Sequence, residues 1–140
     1  MKNNKEEGNQ YHAVMLVDDN EIDNLINQKM IEASAICKHI FIHSGAKSAI
    51  EFLKNIEKLA KGSLDLYLPD LIFLDIDMPL MDGFQFLEEF EKLSELIKNH
   101  CKIIMLTSSL NPQDMQKAKK NKYIVKYINK PLTLDSLKKL

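Results

Sequence analysis

Six polar residues stand where four apolar runs break off. The run "DLIFLD" ends in Asp75, and Asp77 follows two positions later. "HAVMLVDD" ends in the pair Asp18–Asp19, "KIIMLT" ends in Thr107, and "YIVKYIN" is followed by Lys130. Taken singly, each has an ordinary reading: an aspartate after a strand caps a helix or closes a turn, a threonine ends a strand, and a lysine lies on a surface. Taken together they form a chemical set. Carboxylates are hard oxygen ligands that suit Mg²⁺, which keeps several waters and needs few protein donors. A carboxylate can also attack phosphorus and carry an acyl phosphate. Phosphoryl transfer requires the charge on the equatorial oxygens to be neutralised, and a metal, an ammonium and a hydroxyl can do that. The set predicts Asp75 as the attacking carboxylate and Asp18 and Asp19 as metal-holding groups. Thr107 and Lys130 are expected to contact the phosphoryl oxygens.

For residues so far apart in sequence to meet, several strand ends must share one edge. The order of elements provides this. Strand-like runs at 12–18, 38–43, 70–75, 102–107 and 123–129 alternate with helix-like segments at 20–34, 45–61, 82–98, 111–121 and from 133 onward. Helical spacing puts Ile22, Leu25, Ile26 and Met30 on one face of the first helix, with Asp19 or Asn20 as its cap. It puts Ala46, Ala49, Ile50, Leu53 and Ala60 on a stripe of the second, and Phe86, Leu87, Phe90, Leu93 and Ile97 on a stripe of the third. The fourth is short and polar, with Pro112 in its first turn and only Met115 and Ala118 to face a core. Residues 62–69 read as a loop. The pattern is α/β, (βα)₅: a doubly wound parallel five-stranded sheet, flavodoxin-like, with expected strand order 2-1-3-4-5. In such folds ligands bind outside the carboxyl ends of the strands.

Composition narrows the class. The chain has 140 residues, 45% of them hydrophobic, with 19 basic and 20 acidic residues and a formal net charge of −1. That balance argues against non-specific attraction to nucleic acid or to a membrane surface. The length suits one domain, with a flexible tail at 1–11 and the folded unit at 12–140, and leaves no room for a DNA-binding output domain. The opening "MKNNKEEGNQ" lacks the apolar stretch of a secretory signal, and no run reaches the roughly 20 apolar residues of a membrane span. Cys37 and Cys101 form no CxxC pair and read as reduced thiols, so the expected location is the cytoplasm.

Four stretches carry a family resemblance: "LVDDN" (16–20), "LIFLDIDMPLMDG" (71–83), "IIMLTSS" (103–109) and "YINKP" (127–131). Through them residues 12–140 resemble the receiver domain of bacterial two-component response regulators, similar to the chemotaxis response regulator. The resemblance implies Asp75 as the phosphoacceptor and Asp18 and Asp19 as the Mg²⁺-binding pair. It also implies the backbone carbonyl of Asp77 as a further metal ligand, and Thr107 and Lys130 as phosphoryl contacts. Tyr127 matches an aromatic that changes rotamer on activation, and the Lys130–Pro131 bond is expected to be cis. The implied partners are a sensor histidine kinase or phosphotransfer protein and a downstream protein. The downstream protein would bind a face made of the fourth helix (111–121), the fifth strand (123–129) and the fifth helix (from 133). The phosphoryl lifetime would depend in part on the side chains of Asp77 and Ser109. No catalytic role is expected for His12, His39, His43 or His100.

Two departures accompany the resemblance. The spacing from Asp19 to Asp75 is long for a compact receiver, with the surplus around 55–70, and the last helix is short. Three other readings compete. Asp75-Ile76-Asp77 resembles the Asp-x-Asp motif of haloacid dehalogenase-type phosphatases, although here the acidic pair lies upstream. A degenerate receiver that only binds proteins conflicts with the intact set of site residues. A flavodoxin-like electron carrier would need a phosphate loop after the first strand, where "DDNEID" (18–23) is acidic.

Overall fold

The computed structural model describes residues 10–59, 68–108 and 111–140. The elements run β1 (Tyr11–Val17), α1 (Glu21–Ser34), β2 (Cys37–His43), α2 (Ala46–Leu59), β3 (Leu71–Asp75), α3 (Gly83–Glu91), α4 (Glu95–His100), β4 (Lys102–Thr107), α5 (Pro112–Lys120), β5 (Ile124–Asn129) and α6 (Leu134–Lys138). The strands form one sheet in the order β2-β1-β3-β4-β5, and all four pairings are parallel. The expected fold and strand order are therefore observed.

The core lies in two layers, one on each face of the sheet. Alternate strand residues Met15, Val17, Ile72, Leu74, Ile103 and Met105 face α2 to α5, while Val14, Leu16, Leu71, Phe73, Ile104 and Leu106 face α1 and α6. Burying each such side chain stabilises the fold by about 1.5–3 kcal/mol. All five residues of β3 are buried, as expected for a central strand covered on both sides. Among the described residues no helix is long and apolar enough to cross a membrane.

Three expectations are corrected. Tyr11, assigned to the tail, is the first residue of β1, where its N–H donates to the Ile36 carbonyl at 2.8 Å. The expected helix at 82–98 is two helices. Lys92 and Leu93 N–H groups reach back only three residues, to Glu89 and Phe90, and the Ser94 N–H is taken by the Glu57 carboxylate of α2. Leu93 and Ile97 remain buried across the break, so the apolar spacing alone could not show it. In α2 the inner stripe is Ala46, Ala49, Ile50, Leu53 and Ile56. Ala60, most of the loop at 62–69, Ser109 and residues 1–9 of the expected tail lie outside the described residues.

The third correction concerns α1. Its supposed core stripe is exposed: Ile22 at 68%, Leu25 at 54% and Ile26 at 41%, with Met30 half-buried. The buried residues are Asn24, Asn27 and Ile31. Two asparagines face inward because backbone groups there need partners: the Asn24 Nδ2 donates to the Asp18 carbonyl at 2.8 Å, and the Asn27 Oδ1 accepts from the Leu132 N–H at 3.0 Å. Hydrogen bonding to buried backbone outweighed the apolar pattern. The expected helix boundaries elsewhere hold to within two residues, and α5 buries Ala118 and half-buries Met115 as read from sequence.

Candidate functional site

Parallel pairing brings the carboxyl ends of β1, β3, β4 and β5 onto one edge. Asp18 follows β1, Asp75 ends β3, Thr107 ends β4 and Lys130 follows β5. Asp18, Asp75 and Thr107 are 2%, 3% and 2% exposed, so these polar groups are set into the edge and shielded from solvent. Asp19 is exposed, yet Asp18, Asp19 and Asp75 each offer a carboxylate oxygen within 4.8 Å of the others.

Local structure fixes the set. The Asp18 N–H donates to the His43 carbonyl at 3.1 Å, and the Asp18 Oδ1 accepts from the Asn20 N–H at 2.9 Å. Asn20 in turn caps α1 through the Asp23 N–H. The Asp75 Oδ1 accepts from the Asp77 N–H at 3.2 Å, while the Asp77 side chain is exposed. Lys130 is presented by a loop held at both ends: its N–H donates to the Thr107 carbonyl at 3.0 Å, and Leu132 is tied to Asn27. The Lys130–Pro131 bond is cis, as expected.

The Lys130 ammonium lies 2.7 Å from Asp18 Oδ2, 3.0 Å from Asp23 Oδ2 and 3.5 Å from Asp75 Oδ2. Burial acts to lower its pKa, but Asp18, Asp23 and Asp75 outweigh that and the net direction is up. The Asp75 carboxyl is pushed up to about 6, first by burial and then by the charge of Asp18, against the lowering pull of Lys130 and the Asp77 N–H. One ammonium thus faces several carboxylates. The surplus negative charge and the all-oxygen donor set fit a hard divalent cation such as Mg²⁺ held by Asp18, Asp19 and Asp75.

The segment after Asp75 is tightly built. Asp82 caps α3 in a reciprocal box with Gln85. Gly83 donates its N–H to the Ile76 carbonyl at 3.2 Å, and a Cβ at this position would sit 2.7 Å from the Ile76 Cα and 2.9 Å from the Asp75 carbonyl oxygen. Only glycine fits there. Leu80 is fully exposed with φ 68°, a left-handed conformation that costs about 1–2 kcal/mol. Tyr127 is half-buried on β5, paired in register with Met105 of β4 and packed against the core layer under α5.

The structure brings together Asp18, Asp19, Asp75 and Lys130 as expected, with Thr107 at the adjoining strand end and Asp77 two residues beyond Asp75. None of the four histidines joins them. His12 stacks edge-on to His39 at 5.1 Å, His43 bonds Ser48 at 2.7 Å, and the His100 Nε2 lies 2.7 Å from Asp70 Oδ1. Sequence reasoning missed Asp23, Asn24 and Asn27. Asp23 stands in the first turn of α1, three positions after its cap Asn20, where an acid reads as ordinary helix-end chemistry.

Comparison with known proteins gives a consistent result. Residues 14–140 match the family model described as "Response regulator receiver domain". The two-component response regulator ORR1 of Oryza sativa subsp. japonica is 30% identical over 129 residues, 91% of this chain, and the chain spans 52% of that protein's length. The crystal structure of a two-component response regulator from Cytophaga hutchinsonii superposes with a TM-score of 0.80 at 28% identity, covering 92% of each chain. The receiver domain of the histidine kinase CKI1 from Arabidopsis thaliana, complexed with Mg²⁺ and BeF₃⁻, shares the fold with a TM-score of 0.76 at 21% identity, covering 96% of this chain and 92% of that one.

Proposed function

The chain belongs to the response regulator receiver family, and on that premise we propose that it accepts a phosphoryl group on Asp75 in a Mg²⁺-dependent reaction. The donor is a sensor histidine kinase or phosphotransfer protein, and the output is a protein-binding face that changes shape. The observation that carries this reading is the cluster itself: a buried Asp75 beside two further carboxylates, with Lys130 3.5 Å away.

The roles follow from position. An Asp75 oxygen attacks phosphorus, the bond from phosphorus to the donor's nitrogen or oxygen breaks, and the leaving group departs with that electron pair. Lys130 and the Thr107 hydroxyl contact the phosphoryl oxygens and hold them in place. Asp18, Asp19 and Asp75, with the backbone carbonyl of Asp77, would hold Mg²⁺, which would supply neutralising charge to the transferring group. Buried Thr107 is drawn toward the new oxygens. Tyr127, on the adjoining strand, then turns inward, and α5, β5 and α6 form the face that reports the change. Helix α5 suits this part because only Ala118 anchors it fully, and weakly anchored elements open at low free-energy cost.

Incubating the protein with Mg²⁺ and acetyl phosphate tests the reading. The expected result is a mass gain of one phosphoryl group in wild type and none in Asp75→Asn or in a chelator. Labelling that persists in Asp75→Asn sinks it.

A further inference from the structure

Asp23 is the contact around Lys130 that the assigned roles leave unused. It sits on the first turn of α1 with its N–H bonded to the Asn20 Oδ1 at 3.0 Å, and its Oδ2 lies 3.0 Å from the Lys130 ammonium. Among the described residues the metal-competent carboxylates are Asp18, Asp19 and Asp75, so Asp23 stands outside that group.

We propose that Asp23 is a positioning residue that holds Lys130 in its unphosphorylated arrangement and so opposes phosphorylation of Asp75. An ammonium has three donors, and three carboxylates surround this one. A phosphoryl group on Asp75 must take at least one donor. A cation bound by Asp18, Asp19 and Asp75 loosens the pull of Asp18 and Asp75 on Lys130. It leaves the pull of Asp23 intact, because Asp23 does not touch it. As an anion outside the metal-competent group, Asp23 also repels an incoming phosphoryl group. Both effects favour the unphosphorylated state, and their difference between states sets the shift in equilibrium. The Asp23 side chain is 35% exposed, so solvent limits the effect to a moderate size. The proposal rests on Asp75 being the phosphoacceptor.

The test titrates beryllofluoride, a phosphoryl mimic, in Mg²⁺ against wild type, Asp23→Asn and Asp23→Glu, with the Lys130 ammonium resonance followed in ¹⁵N-lysine samples. Asp23→Asn is expected to bind the mimic about two- to fivefold more tightly, and Asp23→Glu, which keeps the charge, to stay within about twofold of wild type. The Lys130 resonance is expected to differ between wild type and Asp23→Asn before the mimic is added and to converge afterwards. Equal or weaker binding by Asp23→Asn, or identical resonances before addition, overturns the proposal. Wild type that binds no beryllofluoride overturns the phosphoacceptor reading, and this proposal with it. Wild type that binds while Asp23→Asn matches it overturns this proposal alone.

Discussion

Asp70 and Asp75 stand five positions apart at the two ends of the same central strand, and they lead opposite lives. Asp70 Oδ2 accepts from the N–H groups of His12 and Ala13 at 2.7 and 3.2 Å, and Oδ1 lies 2.7 Å from the His100 ring. Its backbone is equally engaged, with its N–H on the Ala13 carbonyl and its carbonyl taking the Lys102 N–H. It stitches the amino ends of β1, β3 and β4 together. Asp75 has one backbone donor at 3.2 Å, an ammonium at 3.5 Å, and two carboxylates for neighbours. A fully compensated acid is structural, whereas an under-compensated one retains free energy that a cation or a phosphoryl group can relieve. The thiols at the amino end fit the same contrast. Burial first, and then the charge of Asp70, push Cys37 up to about 11, and the same causes push Cys101 upward, so both stay protonated and unreactive.

The contrast can be broken most directly at the carboxyl end. Asp18→Ala or Asp19→Ala is expected to slow labelling by acetyl phosphate on the order of 100-fold, about 2.7 kcal/mol of barrier, and to abolish its dependence on Mg²⁺. Asp70→Asn is expected to leave the labelling rate within a few-fold of wild type. Similar losses at both ends would erase the distinction.

Stability against pH sharpens it. The Asp75 carboxyl rises from an ordinary 3.8 to about 6, so between those values the folded chain binds more protons than the unfolded one. Its contribution is therefore most favourable at low pH and is lost as pH rises toward 6, a change on the order of 1–3 kcal/mol. Urea unfolding in chelator should show wild type losing stability relative to Asp75→Asn across that window, with Asp75→Asn the more stable above it and Mg²⁺ narrowing the gap. A constant difference between the two across the window contradicts the assigned environment.

The smallest effects belong to the amino end. Asp70→Asn is expected to cost about 1–2 kcal/mol in urea unfolding, because it weakens charge-assisted bonds to two backbone N–H groups. Replacing His12, His39, His43 and His100 together with Gln is expected to leave labelling within a few-fold. A change in labelling larger than any change in stability would place a histidine in the chemistry.

Much of the fold was legible because a strand buried on both faces has no polar alternation to obscure it, as "LIFL" before Asp75 illustrates. The acids at strand ends were legible for the same reason: an aspartate closing such a run is conspicuous. Helix α1 was misread because its apolar residues and its buried residues occupy different faces. Asn24 and Asn27 face inward to bond backbone at Asp18 and Leu132, and that demand is created by other segments of the chain. Asp23 escaped for a related reason, since its partner lies 107 positions away and arrives only when β5 joins the sheet. The break between α3 and α4 depends on Glu57 of a neighbouring helix, which no local pattern encodes.

Gly83 gives the site a mechanical property. Where side chains separate two elements, their rotamers absorb small displacements as a compliant cushion. Here the first residue of α3 rests on the backbone of Asp75 and Ile76, leaving no room for even a methyl group. The joint is stiff. A displacement of the Asp75 main chain is delivered to the start of α3 without loss, so this helix acts as a lever with its fulcrum one residue from the site.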